Sequence, residues 1–223
     1  MSFADYWDGI ICIHRYDRED RRDHISSQSK KHGICFDMFD AHSGVLHDGK
    51  LSGNAGCTAS HRGVLEIIAQ RFGQWLILED DFEVVEPGKW NYDHDARRHG
   101  GRKPFHDQWA EIEPDIPENW DMRYLGGHFA EPPIARVNKH IVKIGRMFTT
   151  SSYGITAEFA RKIAPYIFGV GPIDTLYGQF HRVNDCFIVD PRLMVQYTNK
   201  SDLSGEEVNN AIAMLDPRHI SMV

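Results

Sequence analysis

The sequence predicts an α/β domain built on a mostly parallel sheet with helices on both faces. Three observations carry this expectation. Strand-length apolar runs alternate with helix-length segments, the third run ends abruptly in Glu79-Asp80-Asp81, and 223 residues suit one domain of this kind, spanning 1–223.

Residues 9–13 (Gly-Ile-Ile-Cys-Ile) are a short apolar run bounded by turn residues, as in a buried strand. Residues 17–31 are charged, with Ile25 their only aliphatic residue, and read as an exposed helix that Gly33 stops. Residues 34–39 alternate as a second strand, and 43–54 form a polar, glycine-containing loop. Thr58 opens a helix whose apolar face carries Val64, Leu65, Ile67, Ile68 and Phe72, and Gly73 ends it. Residues 75–78 (Trp-Leu-Ile-Leu) form a third strand that runs straight into the acidic triplet. From 86 to 119 the periodicity fails. Prolines, a basic cluster at 97–103, Trp90 and Trp109 mark a long loop or insert near the acceptor side of any site at the triplet. Strands resume at 123–126 and 141–144, Thr156 caps a helix through Ile163, and late strands fall at 186–190 and 193–197.

Composition excludes several classes. Hydrophobic content of 41% is that of a globular protein, and no apolar run is long enough to span a bilayer. The first residues have neither a basic start nor an apolar stretch, so no signal peptide is expected. The four cysteines are widely spaced without a Cys-x-x-Cys pair, which points to buried free thiols, a reducing compartment and a cytoplasmic location. A net charge of −7 argues against bulk attraction to nucleic acid or anionic membranes. The histidines form no zinc-binding spacing.

In open α/β sheets, ligands bind beyond the carboxyl ends of strands, which is where the triplet stands. Alternation along an extended chain puts Glu79 and Asp81 on one side, where two carboxylates suit a hard divalent cation, Mn²⁺ or Mg²⁺. Such an ion neutralises a diphosphate leaving group. Taken alone, the same three residues also read as a solvated acidic turn.

Residues 51–62 (Leu-Ser-Gly-Asn-Ala-Gly-Cys-Thr-Ala-Ser-His-Arg) and 75–82 (Trp-Leu-Ile-Leu-Glu-Asp-Asp-Phe) resemble glycosyltransferase family 25. The resemblance extends to 39–44 (Phe-Asp-Ala-His-Ser-Gly), Trp120-Asp121 with Tyr124-Leu125-Gly126, 149–155, Pro172-Ile173-Asp174, and Gln196 followed by Ser201-Asp202-Leu203. It implies a GT-A-like Rossmann-type fold and transfer of a sugar from a nucleotide sugar, with UDP as the expected nucleotide, to an acceptor hydroxyl with inversion. By the same resemblance Glu79 and Asp81 hold the metal, and Asp80 lies nearer the sugar or ribose. Asp174 is the candidate general base, although Pro-Ile-Asp also reads as a helix start. Gln196, Ser201 and Asp202 are expected on the donor side, the last two at the diphosphate or the metal. His61 reads either as a structural histidine or as a substrate contact, and Cys57 as a packing residue.

The first strand departs from the family pattern: Cys12 replaces an Asn and His14 an acidic residue. Arg15 and Arg22 remain expected nucleotide contacts, since guanidinium pairs with phosphate and stacks on bases. The expected acceptor is a saccharide or a hydroxylated residue. Two alternatives stay open. One is the same chemistry on a hydroxylated nucleic-acid base, served by the 97–103 cluster with Trp90 and Trp109. The other is an inactive nucleotide-sugar-binding module.

Overall fold

The computed structural model describes residues 1–45, 49–87, 103–197, 199–200 and 207–208. Its centre is an eight-stranded sheet. One side is formed by β1 (Gly9–His14), β2 (Asp37–Asp40) and β3 (Gln74–Glu79), in the order β2-β1-β3 and all parallel. Three short pairs form outside it: β4 (Phe82–Val84) with a late strand, β6 (His128–Glu131) with β9 (Arg146–Phe148), and the two-residue strands Asn199–Lys200 and Glu207–Val208 with each other. The sheet continues from β3 through β10 (Ser152–Thr156), β5 (Met122–Tyr124), β11 (Cys186–Val189), β8 (Ile141–Lys143) and β7 (Ala135–Arg136). Six of these eight strands run one way; β10 and β8 run the other. The sheet is therefore mixed but mostly parallel, as the sequence predicts.

Period-two alternation divides the interior into two cores. Ile11, Ile13, Ile77, Tyr124 and Ile188 face helices α2 (Gly53–Ile68), α4 (Ala157–Ile163) and α5 (Ile173–His181). Ile10, Cys12, Leu76, Leu78 and Phe187 face α1 (Glu19–His32) and α3 (Phe105–Ile112). Arg123, in the centre of β5, is fully buried on this second face. Its guanidinium lies 4.9, 5.0 and 4.4 Å from the ring centres of Tyr6, Trp7 and Trp120 and donates to Tyr6 Oη. An aromatic cage thus takes the place of a counter-ion and pins the N-terminal segment to the sheet.

Three expectations need correction. α1 is not simply exposed, because Arg21, Ile25, Gln28 and His32 form a buried stripe at helical spacing. The stripe is mostly polar, so an apolar-periodicity search passes over it. α2 starts at Gly53 rather than Thr58, capped by Ser52, whose Oγ accepts from Ala55 N at 3.3 Å. It also ends at Ile68, ahead of Gly73. Within 86–119 the chain forms α3, and Trp109 is 1% exposed against Phe3 and Tyr6. It is a core residue, not a stacking platform for a base. Trp90 and residues 97–102 of the basic cluster lie outside the described residues.

The glycines around the start of α2 have a steric reason. A Cβ on Gly56 would lie 2.5 Å from His42 O, and one on Gly44, whose φ is 71°, 2.1 Å from Ser52 O. Only glycine lets the 41–44 loop cross the helix this closely.

His181 closes α5 in full burial. Its Nδ1 accepts from Met147 N at 3.3 Å, so Nε2–H faces Tyr124 Oη at 3.1 Å. Burial, reinforced by the nearby Arg146 charge, pushes its pKa down to about 4. Between that value and the ordinary 6.5 the unfolded chain binds a proton that the folded chain refuses, so stability falls as pH falls through this window. His181→Gln should flatten the acid limb of the stability curve, removing about 2 kcal/mol of its fall between pH 6.5 and 5 in urea titrations. An unchanged limb would refute the assignment.

Candidate active site

The site is built at the carboxyl end of β3, where chain direction and side-chain alternation send each acidic residue to a different neighbour. Glu79 follows Ile77 onto the α2 side. There His61 Nε2 lies 3.1 Å from its Oε1 and Thr150 Oγ1 donates to the same oxygen at 2.5 Å. Asp80 turns to the α1 side, as His14 does from β1. His14 Nδ1 lies 2.9 Å from Asp80 Oδ2, the Arg21 guanidinium donates to Oδ1, and Arg15 N donates to Oδ2 at 3.3 Å. Asp81 lies in the turn before β4, which pairs with β12 (Met194–Gln196) in the register Gln196↔Phe82. That pairing delivers Gln196 Nε2 to Asp81 Oδ2 at 3.0 Å. The extended alternation stops at Glu79, yet all three carboxylates border one cavity.

The electrostatics differ across the triplet. Burial opposes ionisation of Glu79, but the donors from His61 and Thr150 outweigh it and hold its carboxyl below the usual value. Burial likewise opposes ionisation of Asp80, and His14 and Arg21 overcome it. For Asp81 burial wins. Arg21 at 3.5 Å offsets it only in part, the two neighbouring carboxylates add to it, and the pKa is pushed up to about 7. Asp81 Oδ1 is buried and has no hydrogen-bond partner among the described residues. A carboxylate so placed fits a divalent cation, and Glu79 offers a further carboxylate on the wall of the same cavity.

The other expected residues divide. Arg15 lines the first cavity together with Arg21, Gly53, Ser60 and the triplet, and its guanidinium pairs with Asp17. Arg22 is not among the lining residues; it donates to Tyr16 O at 2.6 Å and lies over the Tyr16 ring. Arg21, one position away, is the arginine that the helix turns inward. Sequence reasoning missed it, as it missed the His14–Asp80 pair. Ser201 and Asp202 lie outside the described residues.

A second cavity adjoins the first and shares Cys57, Glu79 and Gln196 with it. Asp174, Thr149, Thr150 and His128 line its far side. Asp174 stands in the first turn of α5 without capping it. Its Oδ2 instead accepts from Thr149 N at 3.4 Å. Thr149 has a φ of 76°, a left-handed backbone that a β-branched residue adopts only under constraint. The strain turns its amide toward the carboxylate.

The Asp81 environment gives a direct test. An acid whose pKa rises on folding keeps its proton in the folded chain between about pH 4 and 7, so stability is lost as pH rises through that window. With metal chelated, Asp81→Asn should be more stable than the parent by about 2 to 4 kcal/mol at pH 8 and by almost nothing at pH 4. Denaturant titrations at the two pH values check this; a parent-like curve at pH 8 would count against a frustrated carboxylate.

Among solved structures the chain is similar to a crystal structure of a glycosyltransferase involved in the glycosylation of the major capsid of PBCV-1. The identity is 14% and the TM-score 0.45, over 84% of this chain and 92% of that one. No curated protein matches. The family described as "Glycosyltransferase family 25 (LPS biosynthesis protein)" matches residues 10–176, which takes in β1, the acidic triplet and Asp174. With well over half of its 223 residues matched, the chain belongs to glycosyltransferase family 25 and is a glycosyltransferase.

Proposed function

We propose that the protein transfers a sugar from a UDP-sugar to a saccharide hydroxyl in one inverting displacement, with the donor diphosphate at the first cavity and the acceptor in the second. The observation that carries this reading is the shared wall: Glu79 faces the triplet's cavity on one side and the cavity of Asp174 on the other. A reacting anomeric carbon needs that arrangement, with the leaving group on one side and a base on the opposite one. The family description, which names LPS biosynthesis, supports a saccharide acceptor.

Glu79 and Asp81 would hold Mn²⁺ or Mg²⁺, which neutralises charge on the departing diphosphate. Arg15, with Arg21 fixed behind it, lines the donor side. Asp80, saturated by His14 and Arg21, acts as the brace that fixes the turn, and any contact it makes with ribose is secondary. On the acceptor side the Asp174 carboxylate takes the hydroxyl proton as the acceptor oxygen bonds to the anomeric carbon and the bond to the diphosphate breaks. The Thr149 amide aims that carboxylate. No enzyme nucleophile is required, in keeping with the half-buried Cys57 thiol, whose pKa is held well above its usual value.

Two measurements test the reading. Asp174→Asn keeps an oxygen for the Thr149 amide but cannot take a proton; kcat should fall about 10²- to 10⁴-fold while donor Kd changes by less than about threefold. Turnover that survives the change would place the base elsewhere. UDP-sugar binding, followed calorimetrically, should depend on Mn²⁺ in the parent and lose that dependence in Asp81→Asn. Equal affinity with and without the ion in the parent would remove Glu79 and Asp81 as its ligands.

A further inference from the structure

Cys57 and His61 stand four residues apart on α2, so their side chains share the face turned toward the end of β3. Glu79 meets them there. Cys57 Sγ, a ring nitrogen of His61 and a carboxylate oxygen of Glu79 all lie within 4.8 Å of one another. Tetrahedral ligands at Zn²⁺ bond lengths of about 2.0 to 2.3 Å sit roughly 3.5 Å apart, so side-chain rotation of about 1 Å closes the set. A sulfur, an imidazole nitrogen and a carboxylate oxygen together suit a borderline-soft cation. They suit Mg²⁺ or Mn²⁺ poorly.

The surroundings complete such a site. A metal-bound histidine ordinarily donates its other ring N–H to an oxygen, which fixes the tautomer. His61 Nδ1 lies 2.8 Å from Tyr153 Oη, which lies 2.8 Å from Tyr177 Oη. With Nε2 on the cation, Nδ1–H donates to Tyr153 and Tyr153 donates to Tyr177. Thr150 already donates to the Glu79 carboxylate. Cys57 and Glu79 border both cavities, which leaves a fourth position open to solvent or substrate. The Cys57 thiol is held well above its usual pKa by burial and by the nearby carboxylates, so cation binding releases its proton to solvent.

We propose that Cys57, His61 and Glu79 form a site for a thiophilic divalent cation, Zn²⁺ foremost, and that its occupation withdraws Glu79 from the hard ion and so inhibits transfer. The inhibitory half rests on Glu79 and Asp81 serving the hard ion, as proposed above; the binding half does not.

Co²⁺ is the probe, because a thiolate ligand gives it a charge-transfer band that carboxylates and imidazole do not. Cys35 is the exposed thiol among the four cysteines, so the titration is run in Cys35→Ser. A band saturating at one equivalent is expected, displaced by Zn²⁺. It should be lost in Cys57→Ser, whose fold is verified by an unchanged thermal transition, and retained in Asp81→Asn. Absence of the band, or its survival in Cys57→Ser, overturns the site. Zn²⁺ should then lower Mn²⁺-supported transfer at least about tenfold, with the half-inhibiting concentration rising as Mn²⁺ rises. Inhibition indifferent to Mn²⁺ overturns the sharing of Glu79. If Mn²⁺ supports no donor binding while the Co²⁺ band stands, the functional reading fails and the thiolate site survives.

Discussion

Three consecutive carboxylates at the closed end of a buried strand set the central constraint on this molecule. Ionised side by side and without partners they would cost several kcal/mol each in desolvation and repulsion. The fold answers by separating them. Glu79 is given to α2 through His61, Asp80 to β1 and α1 through His14 and Arg21, and Asp81 to β12 through Gln196. Each partner arrives on a different element, so the order β2-β1-β3-β10 and the small β4–β12 pair are needed to bring them together. Two of the three acids are fully compensated. Asp81 is not: burial keeps its pKa raised and its Oδ1 has no hydrogen-bond partner among the described residues.

How much of this can be read in the sequence follows from the same division. The strand, the triplet and the order of helices stand out because apolar runs and consecutive acids are local signals. Gln196 and Asp174 are legible only through the family resemblance, and the fold brings them with Glu79 to adjoining walls. The partners are less legible, because each is a long-range choice made by a polar residue. Arg21 and Arg22 are indistinguishable in a charged run, and only the buried stripe Arg21, Ile25, Gln28, His32 shows which one turns inward. The direction of β10 is likewise hidden: it runs antiparallel between β3 and β5, although the segments before it suggest a simple parallel repeat. Its reversal brings Ser151 O to Glu79 N and Thr150 to the Glu79 carboxylate.

The second cavity shows where stability is given up for placement. Thr149 holds a left-handed backbone that costs about 1 kcal/mol or more, and a glycine there would relieve it. The constraint comes from both sides, since β9 ends at Phe148 and β10 begins at Ser152. The tight crossing turns the Thr149 amide toward Asp174 and the Thr150 hydroxyl toward Glu79. One strained turn thereby holds both carboxylates, Asp174 through a backbone amide and Glu79 through a hydroxyl.

His14 is the residue that best explains how the triplet divides its labour. The family pattern has an acidic residue at this position, and a carboxylate there would stand against Asp80 and compete for Arg21. An imidazole reverses the interaction: Asp80 receives a donor from His14 at 2.9 Å as well as the Arg21 guanidinium, and its carboxyl settles below the usual range. Arg21, anchored on Asp80, stands 3.5 Å from Asp81 and offsets its burial only in part. The charge deficit of the site therefore concentrates on Asp81 and on the open side of Glu79. His14 thus makes the middle residue of the triplet structural and leaves the two outer ones facing the cavities.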